Sequence, residues 1–199
     1  MSFPQQSLNS QLADIRNQLA LCLTRGSEVV AGIYPDQLTL RPEPGKWSVA
    51  ECLVHLNLTS QAFLPVIRDA CDEARSRLLR SNGPFKMEMV ASLLKWSLEP
   101  PARLRINTTD RFQPLIFEPV DAVLPVFIHL QSQLDQAVHA ANGLDLGRVK
   151  VSSPFSNRIQ YNLFSCLVLI AAHQRRHLWQ AEEVKKWILG CSNLNTRAT

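Results

Sequence analysis

The chain has 199 residues, 46% of them hydrophobic and 19% charged, and a formal net charge of +4. That supports one buried core, or two small ones at most. The charge is mild, and the basic residues of 68–80 are interleaved with Asp69, Asp72 and Glu73, which argues against a nucleic-acid footprint.

Leu8, Leu12, Ile15, Leu19, Leu23 and Val30 form one helical stripe and predict a first helix over about 7–31. Pro35, Pro42, Pro44 and Gly45 mark a loop. Ser48-Val-Ala-Glu51 reads as a capping box, with serine at the N-cap and glutamate three residues later. It opens a second helix, expected to reach about Arg80, with Pro65 as a candidate kink and Trp47 as a hydrophobic staple opposite Cys52. Ser81-Asn-Gly-Pro84 stops it. A shorter helix is expected over Phe85–Leu98, followed by an irregular connection with Leu104-Arg-Ile106 and Leu115-Ile-Phe117 as extended pieces. The third long helix is predicted from Pro119 or Val120 to Ala141, ended by Asn142-Gly143. The fourth starts between Asn157 and Tyr161, runs to Leu189 and closes at Gly190, with a polar tail over 191–199.

No alternating run is long enough for a sheet. The expected fold is therefore all-α: a four-helix bundle in one domain over 1–190, with a long crossover, residues 81–118, between the second and third long helices. The first residues lack a charged segment followed by an apolar one, and the longest apolar run, Leu163 to Ala172, is too short to span a bilayer. The five cysteines, at 22, 52, 71, 166 and 191, form no CxxC pair. Reduced thiols in a cytoplasmic protein are expected, with neither nucleic acid nor membrane as partner.

The chemistry centres on His173-Gln-Arg-Arg-His177 in the last helix. Residues four apart on a helix lie about 40° apart on one face, so two such imidazoles can share an ion. A third from a facing helix, His55 in Glu51-Cys-Leu-Val-His55, completes a three-histidine site with open positions, the arrangement of a catalytic metal. His173 and His177 share their stripe with Cys166, Leu169 and Ile170, and buried imidazoles need partners. The competing reading is that hydrogen bonds alone satisfy them.

Around this trio, Glu51 and Thr59 lie one turn either side of His55. Glu51 is the capping residue, or orients the His55 ring. Gln180 follows His177 by three residues and either holds a water or substrate group or bonds between helices. Glu51 and Gln180 are the candidate catalytic residues. Arg176 flanks the histidine face, and Arg175 is expected in solvent. His129, ten residues from His139, is a fourth-ligand candidate, and His139 reads as a surface residue. Cys52 and Cys166 read as buried structural thiols, with a ligand or nucleophile as the alternative. The four tryptophans read as packing anchors. There is no glycine-rich phosphate loop, GxSxG elbow or HExxH motif.

Trp47-Ser-Val-Ala-Glu51-Cys-Leu-Val-His55-Leu resembles the start of the second helix in the DinB-like superfamily, which includes YfiT-like metal-dependent hydrolases. His173-Gln-Arg-Arg-His177-Leu-Trp-Gln180 resembles the HxxRHxxQ signature of its last helix, and Val151-Ser-Ser-Pro154-Phe-Ser the loop before it. The likeness runs from about Leu8 to Leu189. It implies a four-helix bundle of unusual topology, often dimeric, with His55, His173 and His177 holding nickel, zinc, iron or manganese. It also implies a small-molecule substrate and either hydrolysis by activated water or transfer and isomerisation with a low-molecular-weight thiol. The alternative is a non-enzymatic bundle that binds a small ligand or keeps a structural or vestigial metal site.

Overall fold

Asn9 begins the helical structure: its side chain accepts hydrogen bonds from the backbone N–H groups of Gln11 and Leu12 and caps α1, Ser10–Val30. The computed structural model describes residues 7–101, 108–115 and 120–195, with side chains as far as 191. Four further helices follow: α2 Val49–Ser76, α3 Met89–Leu98, α4 Val120–Ala140 and α5 Leu163–Asn195. Leu104-Arg-Ile106 lies outside the described residues, as do the last two residues of Leu115-Ile-Phe117.

The protein is mostly helical. α2 packs against α4 and α5, α1 packs against the same two helices, and α3 lies on α5. Asn57 bonds the Val123 carbonyl, Arg68 bonds Gln133 and Arg75 bonds the Ala140 carbonyl. These pairs rise together, so α2 and α4 run in the same direction. Arg16 pairs with Asp135, and Gly26 meets Phe127, so α1 runs against α4.

Besides the end of α2, which comes at Ser76 rather than near Arg80, three local expectations give way. First, a hairpin stands where the last helix was expected to start. β1, Lys150–Ser153, pairs antiparallel with β2, Ser156–Asn162, with Val151 opposite Tyr161. Its alternation spans only the four residues of β1, too few to register as a strand pattern. α5 begins at Leu163 because the Asn162 side chain accepts the Ser165 N–H, 2.8 Å away. Second, α5 passes Gly190 and continues to Asn195, into the stretch expected as a tail. Gly190 keeps a negative φ, without the left-handed turn by which glycine closes a helix. Third, α3 starts at Met89 rather than Phe85. The Gln11 side chain takes both the N–H and the carbonyl of Phe85, which holds that backbone away from the helical ladder.

Two apolar clusters fill the interior. One gathers Leu12, Ile15, Phe63, Ile67, Leu134, Leu167 and Ile170. The other gathers Cys22, Val29, Leu53, Leu56, Phe127, Leu178 and Ile188. Burying each such large side chain contributes about 1.5–3 kcal/mol. Along α5, Ile170 to Ala171 belongs to the first cluster and Leu178 to the second, so the turn carrying His173 and His177 falls at their junction. Among the described residues no helix is long and apolar enough to cross a membrane.

Candidate metal centre

The site is assembled from two α-helices and one backbone carbonyl at the end of a short 3-10 turn, Asp110–Phe112. The capping box forms: Ser48 Oγ accepts the Glu51 N–H at 3.2 Å, and Glu51 Oε2 accepts the Ser48 N–H at 2.8 Å. One turn later α2 presents His55, only 2% exposed. His173 of α5 is 5% exposed, and His177 is partly buried. The His55 ring lies 5.1 Å from that of His173 and 4.3 Å from that of His177, centre to centre. One ring nitrogen from each of the three lies within 4.8 Å of the others.

Two of the rings are oriented by acceptors. His55 Nδ1 is 2.7 Å from the Phe112 carbonyl oxygen. A carbonyl only accepts, so Nδ1 carries the proton and Nε2 keeps its lone pair. His177 Nδ1 is 3.2 Å from Gln180 Oε1, which leaves the His177 Nε2 lone pair free in the same way. His55 Nε2 faces His173 Nε2 at 3.2 Å. Nitrogens sharing an ion at 2.0–2.2 Å lie about 3–3.5 Å apart, so this spacing suits a common ion.

Burial lowers the pKa of all three imidazoles. It takes His55 down to about 4, against a smaller upward pull from the Phe112 carbonyl. His173 and His177 fall well below the ordinary value, through burial first and then the neighbouring imidazoles. At neutral pH the three are uncharged, the state in which imidazole ligates a metal. The donor set therefore fits a divalent ion.

The profile of the DinB superfamily matches residues 18–181, most of the chain. The chain belongs to the DinB superfamily. No curated protein matches it, and no solved structure does.

The other residues singled out in this DinB-superfamily chain divide sharply. No hydrogen bond joins Glu51 to His55. Its carboxylate accepts the Ser48 N–H and two hydrogen bonds from one edge of the Arg41 guanidinium, through Nε and Nη2. Burial pushes the Glu51 pKa up, but the Arg41 and Ser48 hydrogen bonds outweigh that and hold it low. Orienting His55 falls instead to the Phe112 carbonyl. Gln180 bonds within its own helix, to His177, rather than between helices. Thr59 Oγ1 returns to the His55 and Leu56 carbonyls.

Arg175 is not in solvent. It is 20% exposed, paired with Glu99 at the end of α3 and bonded to Gln18 of α1. Arg176 reaches the Ser97 carbonyl. His129 is exposed and bonds Gln133, and His139 is exposed, so neither joins the cluster. Cys52 and Cys166 are fully buried, and burial pushes both thiols far up.

Three contributors escaped sequence reasoning. Trp47 stacks on the His177 ring at 5.5 Å and tilts over the His55 ring at 4.8 Å, besides packing on the apolar cluster that holds Cys52, its expected staple partner. Phe155, at the hairpin tip, packs on His173 at 5.3 Å and on Phe112 at 5.0 Å. Phe112 acts through its backbone oxygen, which any residue would carry, so no side-chain signal marks it. For Trp47 a signal existed: it directly precedes the N-cap, about two turns before His55.

Proposed function

We propose that this protein is a divalent-metal-dependent enzyme of the DinB superfamily, with His55, His173 and His177 as the metal ligands. One observation carries the reading: three uncharged imidazoles from two helices bring one nitrogen each within 4.8 Å. A three-histidine ion with open positions lowers the pKa of a coordinated water or thiol and so supplies a nucleophile at neutral pH. The chain's own groups do the rest. The Phe112 carbonyl and Gln180 fix which nitrogens point inward, and Trp47 and Phe155 wall the centre with aromatic carbon, which limits water. Glu51, held by Arg41 and Ser48, anchors the helix start and is not the proton acceptor.

The substrate is a small molecule, either hydrolysed or joined to a low-molecular-weight thiol. The family membership supports this, together with the finer fold assignment of a four-helix bundle with a crossover between α2 and α4. All five cysteines are free, which supports a cytoplasmic setting.

The test is elemental analysis of protein purified without added metal, beside the His173→Ala variant. We expect about one ion per chain in the wild type and a large loss in the variant. Metal-free wild type that takes up no nickel, zinc, iron or manganese sinks the reading. A second reading, an ion that only ties α2 to α5, draws on the deep burial of His55 and His173. Adding azide to the Co2+ form separates the two: an altered visible spectrum means an exchangeable position and favours the enzyme.

A further inference from the structure

We propose that Trp47 is the specificity-determining wall of the histidine centre, setting the bulk of the ligands that reach an ion held there. The inference rests on the metal reading above and adds to it the side chain that selects.

Of the three imidazoles, His177 is the most exposed, so it marks the side on which solvent comes nearest. Trp47 occupies that side. Its ring lies nearly parallel to the His177 ring, 29° apart at 5.5 Å, and also covers His55 at 4.8 Å. Trp47 is itself partly exposed, so one indole forms the boundary between solvent and two of the three ligands. The opposite flank is closed differently, by Phe155 against His173, backed by the buried rings of Phe63 and Phe112.

The indole is also held in place. Its backbone leads directly into Ser48, whose N–H and hydroxyl are both used by Glu51. Glu51 is in turn gripped by Arg41. A ring this firmly mounted acts as a fixed wall, and fixed apolar walls discriminate by size. A small ligand passes beside the indole, whereas a branched one of the same donor chemistry collides with it.

The experiment compares acetate with pivalate, equal in donor group and different in bulk, titrated into the Co2+-substituted protein and read from the visible bands of Co2+. In the wild type we expect acetate to bind about tenfold more tightly than pivalate. Trp47→Ala should abolish that preference, with pivalate binding as tightly as acetate. Trp47→Leu, which keeps apolar bulk at the N-cap should the alanine variant not fold, should give an intermediate preference. An unchanged preference in a folded, Co2+-loaded variant overturns the role of Trp47 and leaves the metal reading standing. Failure of the wild type to bind Co2+ at all overturns both.

Discussion

His55 Nε2 and His173 Nε2 face each other at 3.2 Å across the α2–α5 interface. The Nδ1–H of His55 is committed to the Phe112 carbonyl, so in metal-free protein the proton between the two Nε2 atoms belongs to His173. An ion taken up at His173 Nε2 must displace that proton to Nδ1, which is buried and has no hydrogen-bond partner. We therefore expect 15N NMR to show His173 as the Nε2–H tautomer in chelator and the Nδ1–H tautomer with Zn2+. The same tautomer in both states would show that His173 does not ligate through Nε2.

Metal should stabilise the fold, because an ion that binds only the native state adds stability by mass action. We expect the melting temperature of wild type to drop on adding chelator at pH 7.5. His177→Ala should lose most of that response and keep its helical circular dichroism. Equal chelator sensitivity in both proteins would remove His177 from the ligand set.

The metal-free protein should lose stability on mild acidification. His55 titrates at about 4 when folded, against 6.5 as its ordinary value, and His173 and His177 are shifted in the same direction. Below pH 6.5 the unfolded chain therefore binds more protons than the folded one. The contribution is fully present above that pH and falls as pH drops toward the folded pKa. Each such group gives a slope of about 1.4 kcal/mol per pH unit. Urea midpoints in chelator should fall between pH 7 and pH 5. A flat profile there would mean the imidazoles are not held uncharged.

Ser48 is fully buried and accepts the Glu51 N–H. Ser48→Ala leaves that donor without its acceptor and should cost about 1 kcal/mol. Chemical denaturation measures it, and an unchanged midpoint would show that the cap contributes nothing net.

Gly26 is where α1 approaches α4. A Cβ there would overlap Cε1 of Phe127, so alanine cannot be added without moving a fully buried ring. Alanine gains about 1 kcal/mol in helix propensity over glycine, but overpacking costs about 1–3 kcal/mol. We expect Gly26→Ala to destabilise, and Gly26→Ala with Phe127→Leu to cost less than the sum of the two single changes. Strict additivity in that double-mutant cycle would show that the two positions do not press on each other.

The amino-acid sequence by itself determined the local features. Apolar periodicity placed α1, α2, α4 and most of α5, and the capping box at Ser48 located the start of α2. The four-residue interval between His173 and His177 put them on one helical face. These are properties of neighbours in the chain, and helix geometry translates them directly into space. The tertiary structure decided everything that joins distant segments. It set His55 against His173, turned Glu51 toward Arg41 rather than His55, and gave the orienting role to a backbone oxygen at Phe112. It drew Arg175 onto Glu99 and laid Trp47 over two imidazoles. Periodicity states which face of a helix is apolar but not which helix meets it. Contacts between residues more than a hundred positions apart arise only when the two apolar clusters close around them.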